Sequence, residues 1–194
     1  MRRADVRLHR AATRLTLVAS LRYLQTVSVE AHRPRETLAA LKHAGFRVAV
    51  CVPDSWLDGI LRAIDEDPAM TLVRATHEEE ALAIACGARL GGARAVLLVQ
   101  NVGLLTMGAG MVSLAMRYQF PVLILASYRG SPRDPVFYHI PKGRATEPVL
   151  QGLGLRYAVA TAEPIGPQVS RAAAFVEESS APFVLLLGRE DIQW

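Results

Sequence analysis

Residues 76–103, THEEEALAIACGARLGGARAVLLVQNVG, decide the fold. The stretch opens with a helix start: Thr76 is followed three residues later by Glu79, the spacing of a capping box. Ala81, Ile84, Ala85 and Ala88 then recur at helical intervals, and Gly91-Gly92 is a stop. Ala95 to Gln100 is an apolar run of strand length with no polar alternation, so it is buried on both faces. Asn101-Val102-Gly103 turns into a further helix expected to last to about Tyr118. A helix with a small-residue face leading into a doubly buried strand is one unit of a parallel sheet covered on both sides.

The same alternation runs outward in both directions. Upstream, Arg35 to Ala44 reads as a helix stopped by Gly45, and Phe46 to Val52 as a buried strand. In the turn Pro53-Asp54-Ser55, Asp54 or Ser55 can cap a helix running to about Asp65, and Met70 to Arg74 forms a short strand. Downstream come a strand at Pro121 to Ala126, a long loop from Ser127 to Gly143, and a helix at Ala145 to Leu153. A strand at Arg156 to Val159, a helix at Gln168 to Glu178 and a strand at Pro182 to Leu187 complete the series. The expected fold is α/β, three-layered, with a mostly parallel sheet flanked by helices. In such sheets ligands bind outside the carboxyl ends of the strands. Four segments stand there: Pro53-Asp54-Ser55, Thr76-His77-Glu78, Gln100-Asn101 and the loop after Ser127.

Composition narrows the class of function. The pI of 9.4 invites a nucleic-acid reading, but the excess charge sits at one end. Residues 1–33 hold seven arginines against Asp5 and Glu30, whereas from position 34 onward 15 basic residues face 16 acidic ones. No basic stripe is left to follow a phosphate backbone, so nucleic acid is not an expected partner. Residues 1–33 are set apart as an extension that is a transit peptide, a disordered segment or the product of a mis-assigned start, and 34–194 is read as one domain. No apolar stretch reaches the length of a membrane span. Cys51 and Cys86 have no CxxC partner and read as buried reduced thiols, as expected of a cytoplasmic protein.

Familiar catalytic signatures are missing. There is no GxxxxGK[ST] and no GxSxG, Gly108-Ala109-Gly110 falls inside an expected helix, and the five histidines lack metal-ligand spacing. What remains is Glu78-Glu79-Glu80. Acids at a helix start are favoured by the helix dipole and need no further purpose. Three adjacent carboxylates nevertheless radiate around the helix, so one of them points toward the sheet end.

The ordered series VPDSWLDGILRAIDEDP (52–68), THEEEALAIACGARLGGARAVLLVQNVG (76–103), PVLILASYRG (121–130) and IPKGRATEPVLQGLG (140–154) resembles a known family. It is similar to the pyrimidine-binding (PYR) subunit of sulfopyruvate decarboxylases and the matching half of phosphonopyruvate decarboxylases, over roughly Thr37 to Leu187. The resemblance implies a thiamine-diphosphate enzyme that decarboxylates a 2-oxo acid. It places Glu78 as the acid that shares a proton with N1′ of the aminopyrimidine ring, and so activates the cofactor. Glu79 and Glu80 are left to capping. Gln100, Asn101 and Gly103 match the family's cofactor-side "QN" segment. Ser55 corresponds to a substrate-facing polar position, or is simply an N-cap. His139 matches a loop histidine that relays protons or contacts substrate in relatives. Arg129, Arg133, Lys142 and Arg144 supply cations suited to a sulfonate or phosphonate, with Arg129 taken as the substrate contact.

In that family diphosphate and Mg²⁺ are held by a PP domain marked by a GDG motif and a later Asn, neither of which occurs here. The resemblance therefore implies a beta-subunit partner carrying that domain, and a hetero-oligomer. The chain departs from the family's "SGLGNxxNAL" after "QN": Val102, Leu105, Thr106 and Ala109 replace Ser, Gly, Asn and Asn, giving a more apolar floor. Other readings are a carboligase subunit for another 2-oxo acid, a non-catalytic assembly or regulatory subunit of the same fold, or an unrelated α/β small-molecule binder.

Overall fold

In the computed structural model, described over residues 32–192, six strands form one sheet in which every pairing is parallel. Helix α1 (His32–His43) leads through Gly45, at φ +85°, into β1 (Phe46–Cys51). Then follow α2 (Asp58–Asp65), β2 (Thr71–Arg74), α3 (Glu78–Leu90) and β3 (Arg94–Gln100). The chain continues as α4 (Asn101–Thr106), α5 (Gly108–Gly110) and a π-helical turn (Met111–Met116) before β4 (Leu123–Ser127). A 3₁₀ turn (Phe137–His139) runs into α6 (Ile140–Gly152), then β5 (Arg156–Val159), α7 (Ile165–Ser179), β6 (Phe183–Leu187) and α8 (Arg189–Ile192).

The spatial order β2-β1-β3-β4-β6-β5 explains where a ligand can enter. From β1 the chain crosses to β2 on one side, then returns to lay β3 on the other. The connections leaving the carboxyl ends of β1 and β3 therefore diverge, and a crevice opens between them. The strands carry apolar side chains on both faces because both faces are covered. One layer, built on Leu41, Ile60, Ile64, Val169 and Val176 of α1, α2 and α7, packs against Ala49, Val96, Leu98, Leu125 and Leu185. The other, built on Ala81, Leu82 and Ala85 of α3 with Leu104, Met107, Met111 and Leu150, packs against Val50, Leu97, Val99, Ile124 and Leu186. The central strand β3 is buried from Ala95 to Val99, as its sequence requires. Cys51 and Cys86 are both buried free thiols.

Four local expectations are corrected. The first helix begins at His32, and Arg33 donates to the Glu190 carbonyl (2.6 Å) and pairs with Asp191 (3.3 Å), so the folded part takes in the last two residues of the segment set apart as an extension. The remainder of that segment, residues 1–31, lies outside the described residues. The expected helix from Asn101 to Tyr118 is interrupted around Met107 and loosens into a π-helical turn, in a stretch where Gly108 and Gly110 offer little helix propensity. The expected loop to Gly143 ends early, because Pro141 in the first turn of α6 starts a helix as readily as it would break one. Lys142 and Arg144 thereby lie on a helix. The short helix α8 was not expected at all.

Candidate active site

The site forms where the turns after β1, β3 and β4 meet. The β1 turn is held by its own aspartate: Asp54 Oδ1 accepts from the Trp56 N–H at 2.9 Å, and the Asp54 carbonyl accepts from Leu57 N at 3.1 Å. Neither Asp54 nor Ser55 caps α2, whose first residue is preceded by Leu57 without a side-chain cap. Asp54 Oδ2 instead faces β3 and β4. It accepts from Gln100 Nε2 at 2.8 Å and from the Arg129 guanidinium at 2.6 Å. Arg129 also donates to Ser55 Oγ at 3.0 Å, and its Cζ lies over the Trp56 ring, 4.8 Å from the centroid.

This pair is withdrawn from water, with the Asp54 side chain 4% exposed and that of Arg129 12%. The positive charge of Arg129, expected at the substrate, is thus already answered by a carboxylate. Gln100 is the hinge of the cluster: its Nε2 is spent on Asp54, so its Oε1 faces the other way and accepts from Lys142 Nζ at 3.2 Å. Ser55 is exposed beside these groups.

Asn101, expected beside the cofactor, is fully buried and serves the framework. Its amide donates to the Arg129 carbonyl (2.9 Å) and Thr146 Oγ1 (2.8 Å), and its oxygen accepts from Arg129 N (3.3 Å). Thr146 in turn donates to the Lys142 carbonyl at 2.8 Å. One side chain at the end of β3 therefore ties down the β4 loop and the first turn of α6. His139 is likewise buried. Its Nδ1 meets Asp134 Oδ2 at 2.7 Å, and its ring stands edge-on to Trp56 at 5.9 Å. Burial pushes the Asp134 carboxyl up, but bonds from the Gly130 and Val136 N–H groups and from His139 outweigh it and hold it below the ordinary range.

The three glutamates at the start of α3 divide as the geometry of a helix requires. Glu79 and Glu80 are exposed and Glu78 is half-buried. The capping pair expected between Thr76 and Glu79 is shifted by one residue: Glu80 Oε2 accepts from Thr76 N (2.9 Å) and Thr76 Oγ1 (2.8 Å). These bonds, the backbone one foremost, lower the Glu80 carboxyl. The N-cap is His77, which accepts from Glu79 N at 3.3 Å. Glu78 alone turns toward the sheet end, and its side chain lies directly on Gly103. A Cβ built there would stand 2.5 Å from Glu78 Cγ and 2.6 Å from Oε1, a separation real atoms do not adopt. The Thr106 hydroxyl donates to the Gly103 carbonyl at 2.9 Å and stands 3.3 Å from Glu78 Oε2. Thr106 stands in the segment that departs from the family pattern, so a hydroxyl remains beside the Glu78 carboxyl group.

A seated, half-buried carboxyl group at a sheet end, with space made for it by a glycine, fits the pyrimidine half of thiamine diphosphate. Sequence reading missed Asp54 as the centre of the cluster, Trp56 as the platform under Arg129, and Thr106 and Thr146 as supports. Pro-Asp at a strand end was the available signal for Asp54, and capping absorbed it. Arg133 lies elsewhere, paired with Glu190 at 3.2 Å on the wall of a cavity of about 310 Å³ beside β4 and β6.

Known proteins place the chain. The model of the thiamine pyrophosphate enzyme N-terminal TPP binding domain matches residues 36–146. The sulfopyruvate decarboxylase subunit alpha of Methanocaldococcus jannaschii is 32% identical over 76% of this chain and 88% of that subunit. Its counterpart from Methanothermobacter thermautotrophicus is 35% identical over 61% and 72%. The phosphonopyruvate decarboxylase of Streptomyces viridochromogenes is 32% identical over 59% of this chain but only 29% of that enzyme. Among solved structures, benzoylformate decarboxylase from Polynucleobacter necessarius superposes with a TM-score of 0.65 at 20% identity, a likeness of fold. It covers 84% of this chain and 30% of that one. With the parallel sheet, the strand-end site and these relatives together, the chain belongs to the thiamine pyrophosphate enzyme family and carries its N-terminal TPP-binding domain.

Proposed function

We propose that the chain is the alpha, pyrimidine-binding subunit of a two-subunit thiamine-diphosphate-dependent decarboxylase. Its substrate is a 2-oxo acid with a second anionic group, sulfopyruvate or phosphonopyruvate, and its products are the aldehyde and CO₂. A beta subunit with the PP domain holds the diphosphate and Mg²⁺. The naming of the relatives as alpha subunits supports this arrangement. The observation that carries the reading is Glu78 seated on Gly103 at the sheet end.

Thiamine diphosphate, when bound, supplies a positively charged ring that accepts the electron pair left behind as CO₂ departs. Glu78 does this chain's part of the chemistry by sharing a proton with N1′ of the aminopyrimidine. Gly103 leaves room for its carboxyl group, and the Thr106 hydroxyl, which donates to the Gly103 carbonyl, lies beside Oε2. Gln100 presents a polar edge at the crevice, and Ser55 lies at its mouth. Asn101 acts through the loop it anchors, and His139 holds the same loop against Trp56.

The test is reconstitution with the partner, thiamine diphosphate and Mg²⁺. Glu78→Gln keeps the shape but removes the acid, and a fall in kcat of at least about 10²-fold is expected, as for the loss of a general acid–base group. A variant that turns over at the parental rate would remove Glu78 from the role.

A further inference from the structure

Four cations stand between positions 129 and 144, and their surroundings differ sharply. Arg129 is paired with Asp54 at 2.6 Å, and Arg133 with Glu190 at 3.2 Å. Arg144 is exposed, and two residues along α6 from Lys142 it points to a different side, since each residue turns the helix by about 100°. Lys142 is half-buried at the carboxyl ends of the strands, and among the described residues no carboxylate lies within ion-pair distance of it. Its Nζ meets a neutral amide oxygen, that of Gln100.

Two features make this placement costly. A partly desolvated ammonium group wants a counter-charge. It also sits in the first turn of a 13-residue helix, where the dipole is positive and no acidic side chain offsets it. Gln100 and Thr146 nevertheless hold the residue from both sides, one at the ammonium group and the other at the backbone carbonyl. A cation held in place at such a cost is poised for an anion that arrives from outside.

We infer that Lys142 is the specificity-determining residue that binds the distal sulfonate or phosphonate of the substrate. This deepens the decarboxylase reading and rests on it. The group read is not the carboxylate. That charge is lost from the substrate as CO₂ leaves, so a cation holding it would favour the ground state over the transition state and slow the reaction. A sulfonate or phosphonate keeps its charge throughout and can be gripped without that penalty.

Two measurements on the reconstituted complex test this, comparing the parent with Lys142→Gln and Lys142→Arg. The first is turnover of sulfopyruvate against pyruvate, which lacks the distal anion. The sulfopyruvate-to-pyruvate ratio of kcat/KM is expected to fall about 10- to 100-fold in Lys142→Gln, the range for one charge-assisted hydrogen bond, chiefly through KM. Lys142→Arg should restore part of it. Equal losses on both substrates, leaving the ratio unchanged, would overturn the inference.

The second measurement needs no turnover: equilibrium binding of 3-sulfopropanoate against propanoate, followed by titration calorimetry. Lys142→Gln should weaken the sulfonate at least about tenfold more than propanoate, and equal weakening overturns the assignment. A complex that binds 3-sulfopropanoate through Lys142 yet decarboxylates no 2-oxo acid would sink the decarboxylase reading while leaving Lys142 as an anion receptor.

Discussion

Replacing Asp54 by Ala gives the most direct measure of what holds the site together. The carboxylate receives three donors, from Trp56 N, Gln100 and Arg129, with its side chain 4% exposed. Removing it strands the Arg129 guanidinium, 12% exposed, without a counter-charge. Breaking a buried pair from one side costs about 3–5 kcal/mol. For a domain of this size each kcal/mol lowers Tm by about 2–4 °C, so a drop of about 6–20 °C is expected. Arg129→Met should cost less, because the thioether can still cover Trp56 while Asp54 keeps its bonds from Gln100 and the Trp56 N–H. The double variant should then recover part of the Asp54→Ala loss, since no uncompensated charge remains. Circular-dichroism melts and urea titrations of the four proteins close the cycle. If the two single losses add to within about 0.5 kcal/mol, or if Asp54→Ala melts within about 2 °C of the parent, the ion pair is not what fixes the three turns.

Gly103→Ala separates activity from stability. The new Cβ displaces the Glu78 carboxyl group, while alanine in a helix gains about 0.5–1 kcal/mol of propensity over glycine; kcat of the reconstituted complex should fall at least about tenfold, the low side of losing an acid–base group, with Tm little changed, and full activity would show that Glu78 does not need its present seat. For Asp134 the sign follows from a carboxyl group held below its ordinary value: the stability it contributes is present above the unfolded pKa of about 3.9 and is lost only as pH falls below that. Hydrogen-exchange protection factors of Gly130 and Val136 N–H should therefore stay level from neutral pH down to about 4 and fall below it, and Asp134→Asn should lower them throughout. Loss of protection already near pH 6 would show that the Asp134 carboxyl group does not set it.

The strands were legible because burial on both faces leaves a plain mark, as in Ala95 to Val99, and the sheet's crossover order fits that alternation. That one of the three glutamates turns toward the sheet end was legible for a different reason. A helix can turn only one of three consecutive residues toward the sheet, but which one depends on the register of the cap. That register proved to be set by His77 and Glu80 rather than by Thr76 and Glu79. The Asp54 cluster escaped because its bonds join residues 46 and 75 positions apart, and no local pattern records such a pairing. Asn101 was placed correctly at the strand end, but its side chain could point to the crevice or into the framework with the same sequence. Only the packing of Thr146 and the Arg129 backbone decides it. The start of α6 was obscured by Pro141, which the sequence reading took as part of a loop although proline is equally at home in a first helical turn.

The two groups that divide the proposed chemistry are spaced by α4. Lys142 meets Gln100, the residue immediately before that helix, while Glu78 rests on Gly103 and Thr106 within it. At about 1.5 Å per residue the two backbone positions are offset along the helix axis by roughly 5–9 Å, so the proposed anion-binding cation and the cofactor-activating acid serve different partners. Asp54 and Arg129 add little net charge, because they neutralise each other beside Gln100. The crevice is thus polarised, with a cation at one foothold and a carboxyl group at the other. A substrate with anions at both ends would be drawn with its permanent charge to Lys142, while the Glu78 carboxyl group stays committed to the cofactor's aminopyrimidine. Val102 and Leu105 are half-buried, and neither carries a charge that would oppose an anion there.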